Sequence, residues 1–534
     1  MQMRMPDAAT VVLQNDKAVC CVAPQMYVKD VCVSLAVRES RLQVGLTAQQ
    51  SAVKYLSFRW NFSPAERREG VRVWGDTWER GHGEIEWRGI VPHRCMPWVC
   101  AVSNGSDADP DTVGRLTECF GVRVRPAALC FWQYDAAGVT LWCDVRCGGE
   151  GVLLGGRTVE VCSVVFGEYR DVSAFQALRQ YYGTLCDDAL LPPHKVYGSN
   201  NWYYAYGETS EQDILRDTEL LVRCCEGLEN RPYMVLDDGW QINRCDGPWD
   251  KLCPRFQDMK KLADTIRQKG ARPGIWLRPL ADREHQLDLP DECRCAWDNA
   301  YLDPSHPLVL QYVADTVRRL VCDWGYELIK HDFTTYDIFG CWGGECADKL
   351  GADGWHFYDR SKTGAEIATE LYRVILEAAD GKALILGCNV SGHLAAGLTH
   401  LNRTGGDTSG VDYERVRRYG VNTLAARMMQ HEAFYHVDAD CVGFAGKIDP
   451  LLNARWARLL SHSGTPFFAS PKPSCVDQET ERLLRECYAR AAKQADTAVP
   501  LDWMENLCPA RWLINGKQVY FDWYGDEGNN SFGG

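Results

Sequence analysis

The sequence predicts a multidomain β plus α/β protein: an N-terminal β-sandwich, a central (β/α)8 TIM barrel and a short C-terminal β cap. Two changes of rhythm along the chain carry this expectation. Up to about residue 185, short alternating runs such as VCVSLAVRES, RLQVGLTA, VTLWCDVRCGG and TVEVCSVVFGEY are broken by Gly, Asp and Asn turns, the pattern of a half-buried antiparallel sheet. From about residue 194, short apolar strands alternate with amphipathic helical stretches, the pattern of parallel βα units.

Taken in order, AFQALRQYYGTLC reads as a helix closing the first part, and LPPHKVYG as the linker out of it. The barrel strands are then KVYGSNNWYYAYG, PYMVLDDGW, RPGIWLRPL, YELIKHDF, ALILGCNV, HLNRTGGD, FYHVDADCVGF and TPFFAS. Eight strands over roughly 275 residues suit one barrel, the seventh being the least clearly marked. Helices are expected at MKKLADTIRQKG, LVLQYVADTVRRLVCDWG, AEIATELYRVILEAADG and NARWARLLSHSG. After Pro471 come a further helix and ARWLINGKQVYFDWYGD, a small β hairpin. The expected domains are residues 1–185, 194–475 and 476–534.

Composition narrows the function classes. A net charge of −14 argues against a nucleic-acid groove, because phosphate binding needs excess Lys and Arg. No run of about 18 apolar residues predicts a membrane span. The N-terminus lacks a basic flank followed by an apolar stretch, so no signal peptide is expected. The 25 cysteines lie scattered within apparent strands and helices, which suits reduced thiols in a cytoplasmic protein better than a disulfide framework. No cofactor and no metal are expected. Cys341 with Cys346, Cys293 with Cys295, and His436, Asp438 and Asp440 in HVDADC leave a metal reading open, without a complete ligand set.

A barrel of this kind places its active site at the C-terminal ends of the strands. There the chain carries Asp237 and Asp238, then Arg278, Lys330 and Asp332, Cys388 and Asn389, and finally Arg403 and Asp407. Such polar groups, with Trp202, Trp240 and Trp276, describe a sugar site, although each ring could equally be barrel packing. Glycoside hydrolysis needs two carboxyl groups, about 5–5.5 Å apart in a retaining enzyme. Strand alternation turns Lys330 and Asp332 to one side, so the lysine is expected to keep Asp332 ionised. Asp407, on the TGGD turn, is the expected acid with a raised pKa, with Asp337 and Asp412 as alternatives. Arg403 either contacts substrate or anchors this loop, and His331 points away from the pocket.

In this order, LDDGW, KHDF and NRTGGDTSG resemble the α-galactosidase clan, and most closely glycoside hydrolase family 36. The resemblance spans the barrel, and GDTWERGHGEIEWRG and FWQYDAAGVTLWCDVRCGGEGV extend it into the N-terminal part. It implies a retaining exo-α-galactosidase with Asp332 as nucleophile and Asp407 as acid/base. Asp237 and Asp238 would bind the 4- and 6-hydroxyls, Lys330 would reach the sugar, and Cys388 and Asn389 would lie near the 2-substituent. The segment DTWERGHGEIEW is either an exposed hairpin or, as in the family, a loop reaching a neighbouring subunit's pocket, which leaves a homo-oligomer open. Here His331 stands where many members have Trp, and GCNVSGH replaces Cys-x-Ser-Gly-Gly-Gly. Rival readings are an α-N-acetylgalactosaminidase, a raffinose-synthase-like α-galactosyl transferase and a non-catalytic sugar-binding protein.

Overall fold

A computed structural model describes residues 3–106, 112–344, 349–493 and 497–524. In the first part, two antiparallel sheets, of six and seven strands, face one another. The burial of Val31–Arg38 and Arg41–Ala48 alternates residue by residue, as one solvated and one covered face require. Glu39 and Ser40 join this hairpin with positive φ at both positions, matching the twist of the flanking strands. Aromatic rings hold the two sheets together: Trp60 meets Phe166 edge-on at 5.3 Å, and Phe120 meets Trp132 at 6.1 Å. The helix Ala174–Tyr182, capped by Ser173 and Gln176, packs its tyrosines beneath.

The second part is a nine-stranded, wholly parallel sheet that curls into a TIM-like domain. Its strands are Tyr197–Asn200, Tyr233–Leu236, Arg272–Leu277, Leu328–His331, Leu384–Gly387, Leu401–Arg403, His436–Asp438, Cys441–Phe444 and Phe467–Pro471. Eight strands were expected, and the ninth comes from a break in FYHVDADCVGF. Asp440 adopts φ 70°, a left-handed conformation that no strand tolerates. The piece before the break pairs with Leu401–Arg403, and the piece after it pairs with Phe467–Pro471. One broken strand therefore bridges the two ends of the sheet.

Strand alternation divides the apolar residues into two cores. Val235, Leu328, Leu386, Leu401 and Phe468 cluster inside the curl with Tyr203 and Cys388. Their sequence neighbours Met234, Ile329, Ile385 and Phe467 join the larger core beneath the helices. The amphipathic helices lie where expected, including Met259–Lys269, Pro307–Arg318, Gly364–Ala378 and Pro450–His462. After the barrel, the helix Gln478–Ala491 leads to a three-stranded antiparallel sheet. Every cysteine among the described residues is a free thiol, and no described helix is long and apolar enough to cross a membrane.

Close backbone approach fixes where the broken strand sits. A Cβ built on Gly443 would lie 2.5 Å from the Cα of Gly410. Gly443→Ala is therefore expected to destabilise the fold by about 3 kcal/mol, read as a lowered urea midpoint, because backbone cannot yield as a side chain does. An unchanged midpoint would show that the two segments are not locked together.

Candidate active site

The inner core sets the phase of the site. Residues two apart on a strand share a face, so Leu328 predicts that Lys330 and Asp332 point inward. By the same count Val235 brings in Asp237, Leu386 brings in Cys388 and Leu401 brings in Arg403. His331, of opposite phase, is buried against the ring of Tyr372 at 6.0 Å, and burial lowers its pKa to about 4.

Asp332 lies at the end of the fourth strand. One oxygen accepts the Trp276 indole N–H at 3.1 Å, and the other accepts the Phe333 amide at 2.8 Å. Phe333 turns the chain with φ 61°, a conformation that costs a non-glycine residue about 1–3 kcal/mol. The Arg278 guanidinium lies 4.1 Å from the centre of that phenyl ring and forms a buried pair with Asp337, at 2.9 and 2.7 Å. Burial raises Asp337 to about 6 against the pull of Arg278.

The expected Lys330–Asp332 pair is not what forms. Lys330 Nζ instead reaches Asp237 at 2.6 Å, and the same Asp237 oxygen accepts Asn200 Nδ2 at 2.6 Å. The flexible side chain crosses the curl to a carboxylate on the second strand. Burial raises the Asp237 pKa, with Lys330 opposing it. Asp238 is bound by Gln241 Nε2 at 2.6 Å and by the Cys245 amide at 2.8 Å. Trp202, only partly buried, stacks with Arg244 at 5.7 Å. Trp240 is a packing residue: it is wholly buried against Trp249 and Trp324, and its N–H goes to the Trp276 carbonyl at 3.1 Å.

Arg403, 2% exposed, organises the other side. It donates to Asp440 at 2.8 Å, Asp407 at 3.2 Å, the Gly406 carbonyl at 3.2 Å and the Cys388 sulfur at 3.4 Å. Asp440 also accepts the Thr408 amide and hydroxyl, at 2.9 and 3.0 Å. Asp438 is raised to about 6 by burial, with Arg403 opposing.

Asp407 departs from expectation. Its close surroundings favour the neutral form, yet 37% of the side chain faces the opening, and Arg403, Arg80, Lys330 and Arg415 bring it down to about 2. Arg80, from the N-terminal part, contacts Asp407 at 3.3 Å. It arrives on the segment GDTWERGHGEIEW, which lies over its own barrel. Gly81 donates to the Thr404 carbonyl at 3.0 Å, and Gly406 returns a bond to Gly81 at 2.9 Å. Glu79, wholly buried, accepts Asn389 Nδ2 at 2.6 Å, and burial raises it to about 7 despite Arg80. Asn389 is thereby committed to the N-terminal part.

Asp332 and Asp407 both open onto a cavity of about 330 Å³, which Phe333, Trp342, Arg80 and His82 also line. Arg415 and Tyr419 complete its rim. Sequence reasoning missed Glu79, Arg80, His82 and Arg415 as neighbours of the site. The available signal was the charged, glycine-flanked ERGHGE between tryptophans, unusual for a sheet segment.

No family model matches the sequence, and no curated protein matches it. Solved structures do. An α-galactosidase from Thermus thermophilus, in complex with p-nitrophenyl α-D-galactopyranoside, is 17% identical and aligns over 97% of this chain and 99% of its own, with a TM-score of 0.57. The GH36 α-galactosidase AgaB from Geobacillus stearothermophilus is 14% identical over 93% of this chain and 78% of its own, with a TM-score of 0.59. The chain has the fold of the family 36 α-galactosidases. A Geobacillus AgaA variant in complex with 1-deoxygalactonojirimycin gives the same TM-score of 0.59 over 96% of this chain and 79% of its own, at 14% identity.

Within this family 36 fold the metal readings find little support. Among the described residues, ligating atoms gather within 4.8 Å only at Cys130, Cys143 and Cys162 and at His431, Glu432 and His436. His436 belongs to the second group, but with His431 and Glu432 in place of Asp438 and Asp440, and neither group contains Cys293 or Cys295. Cys341 accepts the Gly351 amide at 3.1 Å, and Cys346 lies outside the described residues.

Two measurements follow from these charges. Lys330→Met leaves Asp237 buried without its cation and should cost about 3–5 kcal/mol of stability, with much of the loss recovered in the double variant carrying Asp237→Asn. Equal loss in single and double variants would mean that the two groups are uncoupled. Glu79, at about 7 in the fold against 4.5 when free, keeps its proton in the native state where the unfolded chain has lost it. Its contribution to stability is therefore largest at low pH and falls as pH rises through that window. Glu79→Gln should remove this slope, so its melting temperature gains on wild type between pH ~5 and ~7.5. Parallel pH profiles for the two proteins would contradict it.

Proposed function

We propose that the protein is a glycoside hydrolase that releases terminal α-galactosyl residues by retaining double displacement. The observation that carries this reading is the meeting of Asp332 and Asp407 on one cavity, at the ends of the fourth and sixth strands of a family 36 fold. In this reading Asp332 attacks the anomeric carbon, and its two N–H donors hold the carboxylate in a fixed orientation. Asp407 protonates the departing oxygen and then takes a proton from water, giving net retention. Asp237, Asp238 and Lys330 hold the sugar hydroxyls.

Galactose is favoured over N-acetylgalactosamine by the packing of the fifth-strand segment. Asn389 is bound to Glu79, and His393 stacks on Trp98 at 4.9 Å, which leaves that segment little room to make way for an acetamide. The division into an N-terminal sandwich to about 185, a barrel over 194–475 and a C-terminal cap belongs to the same proposal. So does a reducing, cytoplasmic setting, which the buried free thiols support.

Hydrolysis of p-nitrophenyl α-galactoside, with the α-N-acetylgalactosaminide in parallel, tests the reading. Wild type should turn over the galactoside. Asp332→Ala should lose activity by about 10³-fold or more, as removal of a covalent nucleophile does, and azide should restore it with β-galactosyl azide as product. Undiminished turnover by the variant would refute the mechanism, and turnover of the acetamido sugar alone would refute the sugar.

A further inference from the structure

One cation at the rim of the cavity has no carboxylate partner among the described residues. Apart from Asp332, Asp407 and the Tyr419 phenol, the ionisable groups that line it are Arg80, His82 and Arg415. Burial and Arg80 lower His82 to about 4, so it stays neutral. Arg80 is balanced by the Asp407 carboxylate at 3.3 Å. Arg415 differs: it is exposed, and among the described residues it forms no ion pair.

Arg415 is nevertheless held in place. Its Nε donates to the backbone carbonyl of Asp407 at 3.1 Å, and its guanidinium lies 5.5 Å from the Tyr419 ring. Arg418 lies 5.5 Å from the same ring and donates to the His82 carbonyl at 2.9 Å. Arg418 and Tyr419 sit in the π-helical stretch Val416–Asn422, which begins directly after Arg415. Such widened turns are frequent at functional sites. Three guanidiniums thus contact Asp407: Arg403 and Arg80 on its carboxylate, and Arg415 on its carbonyl.

In the double displacement proposed above, the leaving oxygen must come within hydrogen-bonding reach of Asp407. Whatever the leaving group carries next to that oxygen meets Arg80 and Arg415. Planar guanidinium forks match carboxylate and phosphate oxygens in pairs, whereas a neutral hydroxyl engages only one donor. A cavity of about 330 Å³ lies at the small end of ligand sites, which favours a short leaving group.

Resting on the α-galactosidase reading, we propose that the substrate is an α-galactoside whose leaving group is compact and carries an oxyanion, received by Arg415 and Arg80 beside Asp407. The bond between C1 and the glycosidic oxygen breaks with its electron pair going to that oxygen, which takes the proton of Asp407. The galactosyl group passes to Asp332 and then to water, and the anion leaves unchanged on its alcohol.

The test compares kcat/KM for α-galactosyl glycerol, α-galactosyl glycerate and α-galactosyl glycerol phosphate at low salt. The anionic substrates should lead the neutral one by about tenfold or more, the size of a charge-assisted hydrogen bond. Arg415→Ala should abolish that lead, while Arg415→Lys should keep part of it. A lead confined to the phosphate, or to the carboxylate, identifies the oxyanion. Equal rates on all three, or a lead that survives Arg415→Ala, would overturn the proposal. If these substrates and p-nitrophenyl α-galactoside are all inert, the hydrolase reading fails by itself. Calorimetric binding of glycerol phosphate then decides: binding lost in Arg415→Ala upholds the oxyanion site, and no binding overturns it.

Discussion

A single buried guanidinium holds the site together. Arg403 is almost sealed from water, and it touches the fifth strand through Cys388, the loop after the sixth through Gly406 and Asp407, and the broken seventh strand through Asp440. A buried arginine is tolerated only where carboxylates and hydrogen-bond acceptors surround it. Asp440 supplies the nearest carboxylate, and Asp440 is also the residue whose left-handed backbone splits the strand. The charge that positions Asp407 and the kink that lets one strand serve two neighbours are therefore parts of one arrangement.

The remaining buried charges follow the same logic at smaller scale. Lys330 with Asp237 and Arg278 with Asp337 each place a cation against a carboxylate inside the curl. The indole N–H and the backbone amide that bind Asp332 leave its orientation independent of all these pairs. The two carboxylates on the cavity thus sit in unlike surroundings, Asp332 bound by two neutral donors and Asp407 among cations that hold it ionised.

Much of this was legible in the sequence because alternation is a local property. The inward phase of Lys330, Asp332, Asp237, Cys388 and Arg403 follows from counting in twos, and the structure brings all five to one face. Alternation says which way a side chain points and nothing about how far it reaches, so the partner of Lys330 was read wrongly. The expected high pKa of Asp407 failed for another reason: Arg403, four residues away, turns onto its carboxylate, and Arg80 joins it from 327 residues earlier, where no local pattern links the two. Trp240 shows a third limit, since a ring at a strand end has the same sequence signature whether it faces the cavity or the core. The break at Asp440 was not legible, because an aspartate in a strand does not announce a left-handed backbone.

The bridge between Gly81 and the loop at Gly405 has a consequence for biosynthesis. At about 5–20 residues per second, a ribosome needs roughly 16–65 s to travel the 327 residues from Arg80 to Asp407. Throughout that interval the emerging N-terminal sheets must carry Glu79 and Arg80 with neither the amide nor the carboxylate that later receives them. The nascent chain is therefore complete as a pair of sheets well before it is complete as a site, and the last contacts to form are those that join its earliest residues to its late ones.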